Sequence, residues 1–210
     1  MGLLAAFPPW ALAAPPVLLV LGDSLSAAYG IGQDRGWVAL MQQRLAERGH
    51  PHRVVNASVS GETSAGGLAR LPQLLGQHRP AVVVIELGAN DGLRAIPAKV
   101  LGENLRAMID LAQAGGARVL LLGIRLPPNY GAVFNTRFEK VYAEVAAEKG
   151  VALEPFFLRG VAEQRALMQP DGLHPGAEAQ PVLLDNVWPA LVPLLEPGAA
   201  ALSGSAPTSG

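Results

Sequence analysis

The sequence predicts one α/β domain in three layers, α/β/α, built around five parallel strands. Three observations carry that prediction. Five short runs are apolar almost throughout, as the strands of a parallel sheet covered on both faces must be. Longer stretches with apolar residues at helical spacing separate them, which is the alternation of a βαβ chain. Glycine and polar residues fall between the runs, where the chain has to turn. The chain has 210 residues, half of them apolar, which is enough for one sizeable core.

The first strand is expected at 17–22, rich in valine and leucine and ended by Gly22. Trp37, Leu40, Met41 and Leu45 then recur at helical spacing before Gly49. A second strand at 53–57 is followed by a helix carrying Leu68, Leu71 and Leu75, and a third strand at 81–87. Val100, Leu101, Leu105, Met108 and Leu111 mark the next helix, closed by Gly115-Gly116. Strands at 118–123 and 151–154 flank a helix at 133–149. A last helix covers 177–195, and Pro181, Pro189 and Pro193 should shorten or kink it. Ligands of such sheets sit at the carboxyl ends of the strands.

Composition excludes several functions. The chain carries 16 Lys and Arg against 17 Asp and Glu, and charged residues make up only 16% of it, below the roughly 25% of typical soluble chains. It offers no electrostatic footprint for nucleic acid or an anionic membrane. We expect no nucleic-acid partner, no stable membrane insertion and a monomer. With no cysteine there is no disulfide, no thiolate metal site and no cysteine nucleophile. Covalent catalysis would need another nucleophile.

The first charged residue is Asp23, so 1–22 is long enough by count to cross a membrane. Pro8, Pro9, Pro15 and Pro16 argue against it, because each removes a helical hydrogen bond that lipid cannot replace. Residues 1–14 read instead as part of a signal peptide, closing on Ala11-Leu12-Ala13 behind a short apolar run, though without a basic start. The expected location is periplasmic or secreted, with the cytoplasm as the alternative. The domain itself spans 15–196. Residues 197–210 are almost entirely small or polar and read as a disordered tail.

Unusual residues gather in the loops that leave the strands. Strand one runs into Gly22-Asp23-Ser24-Leu25-Ser26, with Gly22 expected to allow a sharp turn and Ser24 on the crevice floor. A serine there is commonly just a helix cap. Strand two is followed by Ser60-Gly61-Glu62-Thr63-Ser64, which offers a glycine amide at the crevice edge and Thr63 or Ser64 as a cap. Strand three ends in Gly88-Ala89-Asn90-Asp91-Gly92, either an Asx-turn or an amide donor aimed into the crevice. Asp171-Gly172-Leu173-His174-Pro175 decides between these readings. Pro175 keeps His174 out of a helix, and Asp171 is near enough in sequence to fix one ring nitrogen. A base oriented by a carboxylate is what a serine nucleophile requires. His50, His52 and His78 lie before strands two and three, away from the crevice, and read as solvated surface.

Together these four blocks resemble the GDSL or SGNH hydrolases, over about Val17 to Leu195. Asn90-Asp91-Gly92-Leu93-Arg94, Arg125-Leu126-Pro127-Pro128-Asn129-Tyr130-Gly131 and Ala179-Gln180-Pro181 look like that family's bacterial thioesterase I, arylesterase and lysophospholipase L1 subgroup, whose members are typically periplasmic. Ala89, where the family often has Gly, and the extra breaker Pro189 depart from it. The resemblance implies a flavodoxin-like sheet and an ester or thioester hydrolase working through an acyl-enzyme. It implies Ser24 as nucleophile, His174 as base then acid, and Asp171 as its orienting partner. The oxyanion hole would comprise the backbone N–H groups of Ser24 and Gly61 and the Asn90 side chain, with no cofactor and no metal.

Other classes fit less well. The nucleophile elbow of ordinary α/β-hydrolases wants Gly two residues after the serine, where this chain has Ser26. A metallophosphoesterase would gather several nitrogen and carboxylate ligands, and only His174 belongs to the crevice. An inactive binding module would not need the whole constellation. For the substrate, Leu93, Ile96, Pro128 and Tyr130 are expected to wall an acyl groove. If the groove is short, a short-chain or carbohydrate O-acetyl esterase is the alternative.

Overall fold

The computed structural model describes residues 14–196. The leader read in 1–14, apart from Ala14, and the tail read in 197–210 lie outside the described residues. Five parallel strands form one sheet: β1 (Val17–Gly22), β2 (Arg53–Asn56), β3 (Val82–Glu86), β4 (Arg118–Leu122) and β5 (Ala152–Glu154). Their order across the sheet is β2-β1-β3-β4-β5, the doubly wound flavodoxin-like order. Every pairing is parallel, as the covered apolar runs require. All residues of β1 and β3 are buried, whereas the edge strand β2 is half exposed.

The longer helices are α1 (Trp37–Glu47), α2 (Ser64–His78), α4 (Ala98–Ala114), α5 (Ala132–Lys149) and α6 (Gln180–Leu191), and one short turn forms α3 (Ala89–Leu93). α1 packs on α6, and α2, α4 and α5 pack side by side, which gives the two outer layers. A glutamine fastens the first pair, since Trp37 N donates to Gln180 Oε1 at 2.9 Å and so gains a cap that its own N-terminus lacks. The core runs through the sheet and is filled on its faces by Trp37, Met41, Phe138, Tyr142 and Phe157. Among the described residues no helix is long and apolar enough to cross a membrane.

Several local expectations change. The α4 stripe buries Leu101, Leu105, Met108, Ile109 and Ala112 but leaves Val100 and Leu111 exposed. The last helix is shortened to Gln180–Leu191 with 3-10 turns at either side, yet Pro189 sits inside it without ending it. His52 is buried rather than solvated. It sits beside His50 and burial pushes its imidazole down, while Nδ1 finds no partner among the described residues. Gly22 is not a turn residue at all. It closes β1 in extended pairing, and a Cβ there would come within 2.8 Å of Ser26 Cβ and 2.9 Å of Glu86 Oε2.

Candidate active site

The strand order reverses direction at β1, whose two neighbours are β2 and β3, so the loops after β1 and β3 part and leave a crevice between them. Ser24 stands in the first loop, half-buried, two residues beyond the last residue of β1. The loop turns tightly, with Ala27 N donating to Asp23 O at 2.9 Å, and Leu25 N donating to the Asp23 carboxylate at 3.0 Å.

His174 reaches the serine from the far end of the chain. Its Nε2 lies 2.9 Å from Ser24 Oγ, and its Nδ1 lies 2.6 Å from Asp171 Oδ2. The other Asp171 oxygen accepts from Leu173 N at 2.9 Å and His174 N at 3.0 Å. These contacts, led by the backbone N–H of His174, hold the Asp171 carboxyl down at about 2 although it is largely exposed. The loop is closed at its base, where Met168 and Pro175 form an antiparallel bridge and Gln169 N donates to His174 O at 2.7 Å. Tyr29 covers the imidazole, with ring centroids 4.5 Å apart, and remains 51% exposed itself.

The third-strand block is a helical turn, not an Asx-turn. Gly88 takes φ +124°, then Gly92 N donates to Gly88 O and Arg94 N to Asn90 O, so long-range packing overrides the turn propensity of Asn-Asp-Gly. Asn90 Nδ2 donates to Asp23 Oδ2 at 3.0 Å, which leaves the second amide N–H free of that contact. Asp91 braces the neighbouring loop, accepting from Ser64 N at 2.8 Å and from the Ser64 hydroxyl. Thr63, not Ser64, is therefore the cap of α2. Gly61 has φ +80°, a conformation that favours glycine, and its carbonyl accepts from Arg94 at 3.0 Å.

A cavity of about 710 Å³ opens beside this group, lined by Ser24, Asn90, Leu93 and His174. Its apolar wall comes from Ile124, Leu126, Phe156, Leu158 and Met168. Of the residues expected to wall a groove, Leu93 lines this cavity. Among the described residues, Ile96 and Tyr130 stand outside the wall. Ile96 N donates to Asp91 O, and the Tyr130 hydroxyl donates to the Leu93 carbonyl at 3.4 Å. The side chain of Pro128 lies outside what the structure describes; its backbone opens a 3-10 turn. Phe156, Leu158 and Met168 escaped the sequence reading because they look like ordinary core fillers. For Phe156 and Leu158 the signal available was their position just past the carboxyl end of β5, and for Met168 its closeness in sequence to the Asp171–His174 block.

Sequence reasoning also missed Glu86, the one acidic residue that ends a wholly buried strand. Its carboxyl is fully buried beside Asp23, and burial followed by the Asp23 charge pushes it well above the usual carboxylate range. Asp23 is pushed up to about 6, chiefly by burial, against the opposing bonds from Leu25 and Asn90. Among the described residues there is no group of three or more His, Asp or Glu placed to hold a metal ion.

Hydroxyl, imidazole and carboxylate stand in one hydrogen-bonded line at the switch point of a flavodoxin-like sheet, and the class of enzyme built this way is the SGNH hydrolases. The chain belongs to the GDSL-like lipase/acylhydrolase family, whose model matches residues 20–180. It is 59% identical over 183 residues to esterase TesA of Pseudomonas aeruginosa, covering 87% of this chain and 91% of that protein. It is 44% identical over 183 residues to the thioesterase 1/protease 1/lysophospholipase L1 of Escherichia coli K12, covering 87% and 86%. Among solved structures, the psychrotrophic esterase EstA of a Pseudoalteromonas species, inhibited by monoethylphosphonate, is 42% identical with a TM-score of 0.81, over 85% of this chain and 98% of that one.

The two aspartates act on stability in opposite directions. Asp171, held low, contributes stability above the ordinary carboxylate range that is lost as pH falls through about 2. Asp23 is raised, so the folded state binds more protons than the unfolded chain between about 4 and 6, and stability falls as pH rises through that window. We expect thermal denaturation of Asp23→Asn to show a smaller loss of stability across that window than the natural chain shows. An unchanged slope would place the raised proton affinity elsewhere.

Proposed function

We propose that the chain hydrolyses acyl esters and thioesters through an acyl-enzyme on Ser24. The observation that carries this is the continuous contact from Ser24 Oγ through His174 to Asp171, at 2.9 and 2.6 Å, at the mouth of an apolar cavity. A neutral hydroxyl is a poor nucleophile, so His174 Nε2 takes its proton as Oγ attacks the acyl carbon. Asp171, ionised, holds the Nδ1–H tautomer and stabilises the imidazolium. The carbonyl oxygen becomes an oxyanion facing the backbone N–H groups of Ser24 and Gly61 and the amide of Asn90. Each such donor is typically worth about 2.7–4 kcal/mol in the transition state. His174 passes its proton to the departing alcohol or thiol. Water, deprotonated by the same imidazole, then cleaves the acyl-enzyme and restores Ser24.

The names of the relatives support both leaving groups, since one is an esterase and another a thioesterase and lysophospholipase. The wall from Leu93 and Leu126 to Phe156 and Met168 supports an acyl chain longer than acetate, against the O-acetyl esterase alternative. The Ala11-Leu12-Ala13 pattern supports action in the periplasm.

Ser24→Ala should remove nearly all hydrolysis while leaving the melting temperature close to the natural value, and a fluorophosphonate should label the natural protein at Ser24. Substantial turnover by the variant, or an adduct elsewhere, would falsify the assignment. Asn90→Ala should lower kcat by about 10²–10³ with little change in KM, since its amide acts in the transition state. Near-natural kcat on an activated ester and a slow thioester alike would remove Asn90 from the oxyanion hole. Across aryl esters from acetyl to palmitoyl, kcat/KM should rise beyond acetyl as the chain fills the cavity. A maximum at acetyl would favour the short-chain alternative.

A further inference from the structure

Two carboxyl groups lie buried beneath Ser24, and the acyl-transfer steps leave both idle. Gly22 and Glu86 are paired in β1 and β3, so Asp23, the next residue, comes to lie against Glu86. Neither side chain is exposed. Glu86 Oε2 accepts from Ser26 Oγ at 2.7 Å and from Asp23 N at 3.3 Å, while Oε1 has no partner among the described residues. Asp23 is better supplied, with Leu25 N donating to Oδ1 and Asn90 Nδ2 donating to Oδ2, both at 3.0 Å. Among the described residues no ion pair reaches either carboxyl.

Two like charges without a cation do not share a dry site, so the pair retains a proton. It belongs on Glu86. Asp23 has two good N–H donors that favour its ionised form, whereas Glu86 has one hydroxyl, one long amide contact and an unpartnered oxygen.

We propose that Glu86 and Asp23 form a one-proton acid pair that positions the oxyanion donor: neutral Glu86 donates to the Asp23 carboxylate, and Asp23 holds one N–H of Asn90 so that the other faces the reacting carbonyl. The proposal rests on the reading of Ser24 as nucleophile and Asn90 as donor. Glu86 and Asp23 are positioning residues, since neither touches the acyl group.

The other titratable groups around the pair are accounted for. Asp91 of α3 is occupied by Ser64. Tyr142 of α5 donates to Leu87 O at 3.0 Å and is held neutral by burial. His174, when cationic, favours the ionised form of Asp23. As pH falls through about 6 Asp23 takes up the second proton of the pair. Its hold on Asn90 then weakens, and kcat falls with it.

The test compares pH profiles of kcat on p-nitrophenyl butyrate for the natural chain, Glu86→Gln and Glu86→Leu. Gln keeps the volume, donates an N–H to Asp23 and still accepts from Ser26, so kcat should stay within about threefold and the acid limb in place. Leu removes the donor, which raises the proton affinity of Asp23. Its kcat should fall by about tenfold or more at mildly alkaline pH with KM little changed, and its acid limb should move to higher pH. Equal losses in both variants, or an acid limb that moves in neither, would overturn the proposal. If the Leu variant does not fold, infrared spectra at mildly alkaline pH decide: a protonated carboxyl stretch present in the natural chain and absent in Glu86→Gln supports the pair. Absence of that band in the natural chain overturns it. Failure of the underlying reading shows separately, as a natural protein whose Ser24 takes no fluorophosphonate.

Discussion

The pairing of β1 with β3 ends at Gly22 and Glu86, and that last rung sets the geometry of everything above it. It places the residue after β1 over a buried carboxyl and brings the loop carrying Ser24 beside the turn carrying Asn90. Gly22 is needed there for space, because any side chain would strike Ser26 and Glu86. Since the two strands are fully buried and their register is fixed by four further rungs, the loops above them cannot slide without unpairing the centre of the core. A parallel sheet thus supplies rigidity to a site made mainly of loop residues.

The site is divided electrostatically by burial. On the outer side, Asp171 is exposed, ionised and fixed by two backbone N–H groups, and it acts on His174 at short range. On the inner side, Asp23 and Glu86 lie in the dry interior, where their pKa values climb. Ser24 stands between a wet carboxylate that stays charged and a buried pair that resists charging. Environments that push carboxyl groups apart in this way let one kind of side chain serve two purposes in a single site. Tyr29 adds a cover over His174, and its carbonyl is tied to Gln169 at 2.7 Å, so the cover and the histidine loop are joined.

The cavity wall is assembled from segments following three different strands. Leu93 follows β3, Ile124 and Leu126 follow β4, and Phe156 and Leu158 follow β5, with Met168 closing the side next to the histidine loop. Leu126 also presses close on Gly92, so the turn that carries Asn90 and the wall of the cavity share a packing contact. On the proposed reading, acyl-chain fit and oxyanion geometry are therefore mechanically adjacent.

The sequence by itself determined the sheet, the layers and the pairing of His174 with Asp171. Each of these has a local signature: an unbroken apolar run, a helical stripe, or an Asp three residues from a His kept out of a helix by proline. What only the tertiary structure decided depends on neighbours distant in the chain. Glu86 drew no notice inside the apolar run 81–87 until the register set Gly22 and Asp23 against it. Asn-Asp-Gly looked like a turn, yet packing and the Ser64 contact wound it into a helix. His52 looked solvated, yet it is buried beside His50, and Tyr130 looked like a groove wall, yet its hydroxyl bonds the Leu93 carbonyl. Period and propensity are properties of neighbours along the chain, whereas burial, proton affinity and cavity walls are set by contacts between residues dozens of positions apart.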